Sequence, residues 1–168
     1  FKEAGFEKGF AFTLDTPNNR WVNDENLCKA LASMWAKLNV KVNVHSMPRA
    51  QYFPKVLSFD TSAGLVGWGS STFDAYYPLQ SLSATYDGAS GAGISNIGRA
   101  SDKQMDALLK KLNLAEDLNE RKALAQQALS LEQNQVLHIP LLQPMFSWAM
   151  KKNIDPIVRP DNKLTLEW

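Results

Sequence analysis

Between Leu65 and Leu82 the chain reads LVGWGSSTFDAYYPLQSL. Gly67 and Gly69 flank Trp68, the hydroxyls of Ser70, Ser71 and Thr72 follow, and Phe73, Asp74, Tyr76 and Tyr77 close the run. Glycine lets a backbone approach a ligand closely, hydroxyls both donate and accept hydrogen bonds, and aromatic rings supply apolar walls with polar edges. This is equipment for holding a small molecule, without a group placed to make or break a bond. Gly67, Trp68, Gly69, Ser70 and Ser71 are therefore the candidate ligand-binding turn. Asp74 either touches a ligand or caps a following helix, and its position favours the cap. Tyr52, shortly after an expected strand, is a further candidate contact. These residues alone leave open the plainer alternative, in which Trp68 and Phe73 are ordinary core and the turn is only a turn.

Other chemistries lack their residues. His45 and His138 each fall in an expected strand and have no second ligand two to four residues away, so no metal site is expected. The run GASGAGISNIG has no third glycine at the dinucleotide spacing and no Lys-Ser/Thr after it, which excludes a phosphate loop. Neither GWGSS nor GASGA has the Gly-x-Ser-x-Gly spacing of a nucleophile elbow. A single cysteine, Cys28, excludes an internal disulfide and a thiolate zinc site, and it falls beside the apolar face of a helix, where burial is expected. No catalytic residue, metal or cofactor is expected. Carboxylates brought together from distant positions are the one catalytic arrangement that spacing leaves open.

The elements that would position the turn follow from periodicity. Phe10–Thr16 alternates as a strand, and Pro17, Asn18 and Asn19 follow as a loop. Asn23 or Asp24 can cap a helix to Leu38, with Leu27, Ala30, Leu31, Met34, Trp35 and Leu38 on one face at the 3.6 period, so that Leu31 and Trp35 are expected against a sheet. Val40–His45 alternates as a second strand, Arg49–Phe59 reads as a helix interrupted or kinked by Pro54, and Ala63–Trp68 as a short buried strand. A helix from Asp74 toward Ser83, a glycine- and serine-rich loop over 86–98, and two helices opened by the boxes Ser101/Gln104 and Asp117/Glu120 come next. Val136–Leu142, Met145–Met150 and Leu164–Trp168 read as closing strands. Strands alternating with helices predict an α/β fold with a mixed, mostly parallel sheet flanked by helices. In such sheets ligands lie beyond the carboxyl ends of the strands, which is where the Trp68–Asp74 turn falls.

The chain has 168 residues, 45% of them hydrophobic, and a formal net charge of +1. That length suits one domain or one lobe of something larger. The balanced charge, with no basic stripe, argues against nucleic-acid binding. No run approaches the roughly 18 apolar residues of a membrane helix. The chain opens at Phe1 without a basic start leading into an apolar run, and is expected to be a piece of a longer protein.

Several stretches together resemble the C-terminal lobe of the family 5 extracellular solute-binding proteins, the oligopeptide- and dipeptide-binding group of ABC importers. Gly67–Asp74 is similar to the family's Gly-Trp-x-x-Asp-Tyr-x-Asp-Pro motif. FKEAGFEKGFAFTLDTP, LASMWAKLNVKVNV and the run from Ala100 to Gln143 resemble other family segments in the same order. The resemblance implies the type II periplasmic-binding-protein fold. Residues 1–168 would be a single lobe of a three-lobe protein, the late strands from about 136 running toward the hinge. It also implies a periplasmic, monomeric binding protein that closes around a small solute or short peptide and docks on an ABC transporter membrane permease. The family's peptide binders carry an aspartate three residues after the motif tryptophan, which pairs with the peptide's amino terminus. Here that position is Ser71, so the resemblance does not carry over a free-amine ligand. The alternative function, a small α/β transferase-type enzyme domain, needs a cofactor loop after the first strand, where Thr16-Pro17-Asn18-Asn19 has no glycine.

Overall fold

Apolar side chains alternating at Phe10, Phe12 and Leu14 form strand β1 (Phe10–Pro17), and Val40, Val42 and Val44 do the same for β2 (Val40–Met47). The computed structural model describes residues 1–70, 72–145 and 149–153. Helix α1 (Asp24–Ala36) links these strands, and α2 (Arg49–Leu57) leads to the two-residue β3 (Ala63–Gly64). All three strands are parallel, in the order β2-β1-β3. Phe10 lies opposite Val40, Pro17 opposite Met47, and Leu14 opposite Ala63. The chain therefore moves to one side of β1 through α1, then crosses back over it through α2. At such a reversal the loops leaving the carboxyl ends of the strands diverge and open a crevice.

The two sheet faces differ because successive side chains point opposite ways. Phe12, Leu14, Val42 and Val44 meet Leu27, Cys28 and Trp35 of α1. On the other face Met47 packs with Tyr52 and Val56 of α2, joined by Ile97. The helix face expected from periodicity is corrected here. Cys28 is fully buried, Leu31 only half-buried, and Met34 and Leu38 exposed. A sheet this narrow covers a thin strip of α1, and that strip runs through Leu27, Cys28 and Trp35. Pro54 does not break α2, which continues to Leu57; Pro54 and Ala50 are both exposed, so water can satisfy the carbonyl left without a donor.

Helices α3 (Tyr76–Leu82), α4 (Lys103–Leu114) and α5 (Leu118–Gln135) build a second core. Leu79, Ala84, Met105, Leu109, Leu112, Leu124 and Ala128 are buried together, with Leu131 packed against them. Asp117 caps α5 as expected, accepting from the N–H groups of Asn119 and Glu120. The cap of α4 is Asp102, whose Oδ1 accepts from Gln104 and Met105 N–H, while the Ser101 hydroxyl turns instead to Thr85. Among the described residues, the halves are joined by the Arg99 guanidinium, which lies over the rings of Phe59 and Tyr86, and by Ile97 against Met47, Tyr52 and Val56, while Arg121 pairs with Asp74 in the link between them.

Two sequence expectations are shortened or lost. Among the described residues beyond Gly64, only Leu65 N–H still reaches β1, at Asp15 O, so the third strand does not extend to Trp68. Val136–Leu142 is not a strand: Val136 closes α5 in the left-handed conformation, and the segment after it is irregular and largely exposed. Pro140 and Pro144 remove donors from any ladder there. The strands expected over 145–150 and 164–168 lie partly or wholly outside the described residues. Among the described residues no helix is long and apolar enough to cross a membrane.

Candidate functional site

The loop of residues 18–23, leaving β1, is built by a carboxylate. Asp24, 3% exposed, stands at the first position of α1, and its Oδ2 accepts from the N–H groups of Arg20 and Trp21, each at 3.0 Å. Oδ1 accepts from Glu25 N–H at 2.9 Å. Asn23, in the left-handed region, makes no side-chain cap, so Asp24 rather than Asn23 organises this helix start, and does so by folding the loop back. Asn18 N–H donates to Met47 O at 3.0 Å and Asn19 Oδ1 accepts from Arg49 N–H at 2.8 Å, fixing the loop to the end of β2.

This loop meets the loop leaving β3 at Gly67. A Cβ at residue 67 would stand 2.7 Å from the Trp21 indole, so any other residue would force the ring or the loop to shift. Glycine here is a seat for Trp21. Beyond it Trp68 is 39% exposed, its ring 5.6 Å from that of Tyr77, while Phe53 meets the edge of Trp21 at 6.4 Å. The rings stand as two pairs, Phe53 with Trp21 and Trp68 with Tyr77, and Trp21 also packs against the buried cluster of Leu14, Cys28 and Leu65. Gly69 has open space where a side chain would stand. Ser70 Oγ donates to Asp74 O at 3.0 Å and shares a 3.2 Å contact with the Thr72 hydroxyl. Ser71 lies outside the described residues.

Asp74 combines a cap-like role with one its position in sequence did not reveal. One oxygen accepts from Tyr76 N–H at 2.7 Å, the first helical residue of α3. The other accepts from Arg121 Nε of α5 at 2.7 Å, and Arg121 Nη1 also donates to Leu112 O. The Arg121 bond holds the Asp74 carboxyl below its ordinary pKa, against the opposing effect of burial. The charge of Asp74 is therefore already met from within the chain.

Tyr52 lies behind the site. It is 1% exposed, and its hydroxyl donates to Leu65 O at 2.7 Å. Burial pushes its phenol pKa up. A Cβ at Gly64 would stand 2.8 Å from that hydroxyl. Tyr52 thus props the start of the β3 loop from beneath and presents no face to the open side.

A second polar group occupies the opposite face of the sheet. The Asp15 side chain is fully buried and accepts from His45 Nδ1 at 2.9 Å, Lys55 Nζ at 3.0 Å and Thr61 Oγ1 at 2.6 Å. Burial alone would push its pKa up, but the bonds from Thr61, Lys55 and His45 outweigh that and hold it below the ordinary value. His45 is thus a strand side chain with a carboxylate partner. His138 is not in a strand and lies 2.6 Å from Glu132. Among the described residues no three His, Cys, Asp or Glu side chains gather to hold a metal. Cys28 is buried and free, its thiol pKa pushed up by that burial.

Sequence reasoning passed over Trp21, Asp24 as a loop organiser, and Arg121. An aromatic in the loop after a first strand was the available signal for Trp21. Arg121, 47 residues from Asp74, carried none.

Residues 1–90 match the family model for the middle part of the bacterial extracellular solute-binding proteins, family 5. Heme-binding protein A of Haemophilus influenzae is 28% identical over 148 residues, which are 83% of this chain and 25% of that protein. Di/tripeptide-binding protein 2 of Pseudomonas aeruginosa is 24% identical over 161 residues, 91% of this chain and 29% of that protein. The chain thus spans little more than a quarter of the length of these curated relatives. Among solved structures, the periplasmic binding protein DppA from Helicobacter pylori, in complex with the peptide STSA, superposes with a TM-score of 0.74 at 22% identity, covering 83% of this chain and 27% of that one. HbpA2 from Haemophilus parasuis gives 0.71 at 23% identity, covering 81% and 27%. The fold is that of a type II periplasmic binding protein, as the family resemblance implies.

Proposed function

The chain belongs to the bacterial extracellular solute-binding proteins of family 5, and on that premise we propose that it forms one wall of a ligand cleft. Residues 1–168 make a single lobe of a longer binding protein that captures a small solute and delivers it to the membrane permease of an ABC importer. The segment from about residue 136 onward runs back toward the hinge. The protein works in the periplasm as a monomer and binds without catalysis. The observation that carries this reading is the position of the Trp68 turn. It lies beyond the carboxyl edge of the sheet, where strand order reverses, and it offers rings, hydroxyls and open backbone while its carboxylate is occupied by Arg121.

The ligand is not held through a free amino terminus. Ser71 is neutral, and Asp74 is committed to Arg121 and Tyr76 N–H. Relatives are named for ligands as different as haem and di- or tripeptides, so ligand class is read from this wall rather than borrowed. Calorimetry on the full-length protein with haemin, sodium deoxycholate, the dipeptide Met-Leu and N-acetyl-Met-Leu tests the reading. Saturable binding of at least one of the four, with no turnover, is expected. Binding that requires the free amine would overturn the amine-independent part, and turnover of a bound probe would overturn the binding-protein reading itself.

A further inference from the structure

We propose that Arg121 is a specificity-determining residue of the cleft wall: by holding the Asp74 carboxylate it withholds a negative charge from the ligand, so that the turn after Trp68 does not select solutes that carry an ammonium group. The proposal rests on the cleft-wall reading above and names what sets the charge of that wall.

Three observations carry it. First, Asp74 is the sole carboxylate in residues 65–82, and it is folded into the turn. Its main-chain oxygen accepts from Ser70 Oγ at 3.0 Å, its Oδ1 accepts from Tyr76 N–H at 2.7 Å, and its side chain is still one third exposed. With no cation beside it, this carboxylate would display its charge at the turn. Second, Arg121 is fixed in place from two sides. Nε donates to Asp74 Oδ2 at 2.7 Å, while Nη1 donates to Leu112 O at 2.7 Å and reaches Ala115 O at 3.4 Å. Those carbonyls stand at the end of α4, where helix donors run out. An exposed pair of mobile side chains has no such anchors and is worth little. Third, the Arg121 bond is the largest influence holding the Asp74 carboxyl below its ordinary pKa. Taken together, the pair is neutral, and an ammonium group brought to the turn meets a guanidinium already on the carboxylate. Charge-assisted hydrogen bonds are roughly twice as strong as neutral ones, so withholding one changes which ligand is preferred. Arg121 stands on α5, 47 residues from Asp74, so the helical half of the chain sets the charge of a wall carried by the sheet half.

Calorimetry on the full-length protein compares Met-Leu with N-acetyl-Met-Leu, and the ratio of the two affinities is the readout. The wild-type ratio is expected near one. Arg121→Met, which removes the cation and keeps an apolar stem, should raise it about three- to tenfold in favour of the free amine. Arg121→Gln keeps an N–H donor for the α4 carbonyls while losing the charge; it should shift the ratio the same way, and it carries the test if Arg121→Met does not fold. Arg121→Met combined with Asp74→Asn has the same lost anchor but no carboxylate, and should return the ratio to near one. If wild type binds neither dipeptide, gain of Met-Leu binding by an Arg121 variant is the expected result, and its continued absence overturns the inference. A ratio that stays near one in a folded Arg121 variant overturns it and leaves the cleft-wall reading standing. So does a raised ratio that persists in the double variant. A wild-type ratio already strongly in favour of the free amine overturns it together with the amine-independent part of that reading. Binding of no probe by any of these proteins, haemin and sodium deoxycholate included, overturns the inference and the cleft wall alike.

Discussion

Residues 76–135 bury Leu79, Met105, Leu109, Leu112, Leu124 and Ala128 in one continuous core, and two of their three helices start on aspartate caps. Residues 10–65 divide their buried apolar side chains between two small clusters on opposite faces of the sheet. What joins those clusters is polar: Asp15 ties β1 to β2, α2 and the 61 turn, and Asp24 ties the 18–23 loop to α1. The helical half is held by non-directional burial, which tolerates small shifts. The sheet half is held by directed bonds, which fix loop positions and lose strength when one partner is lost. A ligand wall needs the second kind of construction, because its loops must stay in place without being buried.

The largest test of this contrast is a cavity in the helical core. Leu112→Ala removes a fully buried side chain and should cost about 2–5 kcal/mol in a urea titration. A loss under about 1 kcal/mol would mean that α3–α5 do not share one core.

Acid should act on the sheet half next. The folded-state pKa of Asp15 lies below its ordinary 3.8, so the charged form is favoured on folding. Its contribution is fully present above the ordinary value and is lost as pH falls through the folded value. That loss should be about 1–3 kcal/mol, given three bonds to a buried carboxylate. Asp15→Asn should remove most of that contribution at neutral pH and flatten the acid limb. An unchanged acid profile in Asp15→Asn would take away the polar tie.

Smaller effects are expected at the junction and at the helix margin. Arg121→Met breaks a partly exposed pair and should cost about 1 kcal/mol, with the Asp74 pKa moving back up toward its ordinary value. Carboxyl titration by nuclear magnetic resonance checks the direction, and an Asp74 pKa that stays low would give the shift to Tyr76 N–H alone. Leu31→Ala, at a half-buried position on α1, should cost less than about 1 kcal/mol. A loss equal to that of Leu112→Ala would return Leu31 to the core and erase the contrast. For binding, Ser71→Asp should improve affinity for amine-bearing ligands by a fewfold to about thirtyfold, because a charge-assisted bond replaces a neutral one.

Local pattern made β1, β2, α1 and α5 legible, because alternation, the 3.6 period and the Asp117 cap act over neighbouring residues. It misplaced the centre of the buried face of α1, since which strip is covered depends on how wide the sheet is. It extended β3 to Trp68, because the apolar run was read as a ladder although backbone pairing stops at Leu65. It turned Val136–Leu142 into a strand for the same reason, where the prolines should have weighed more. At the site, the composition of the Trp68 turn was readable, and the reading of Asp74 as a cap was half of its role. The Arg121 pairing and the seating of Trp21 on Gly67 join residues 47 and 46 apart and leave no mark on local sequence. Tyr52 looked like a contact because an aromatic after a strand can face either way, and only the fold turns it inward.

The central claim is that ligand meets this lobe along the carboxyl edge of the sheet. Hydrogen–deuterium exchange of the full-length protein, with and without whichever probe binds in calorimetry, tests it most directly. The account predicts ligand-dependent protection in residues 18–23 and 65–77, with α4 and the outer face of α5 unchanged. Protection confined to α4 and α5, with the two loops exchanging as fast as in the free protein, would contradict it.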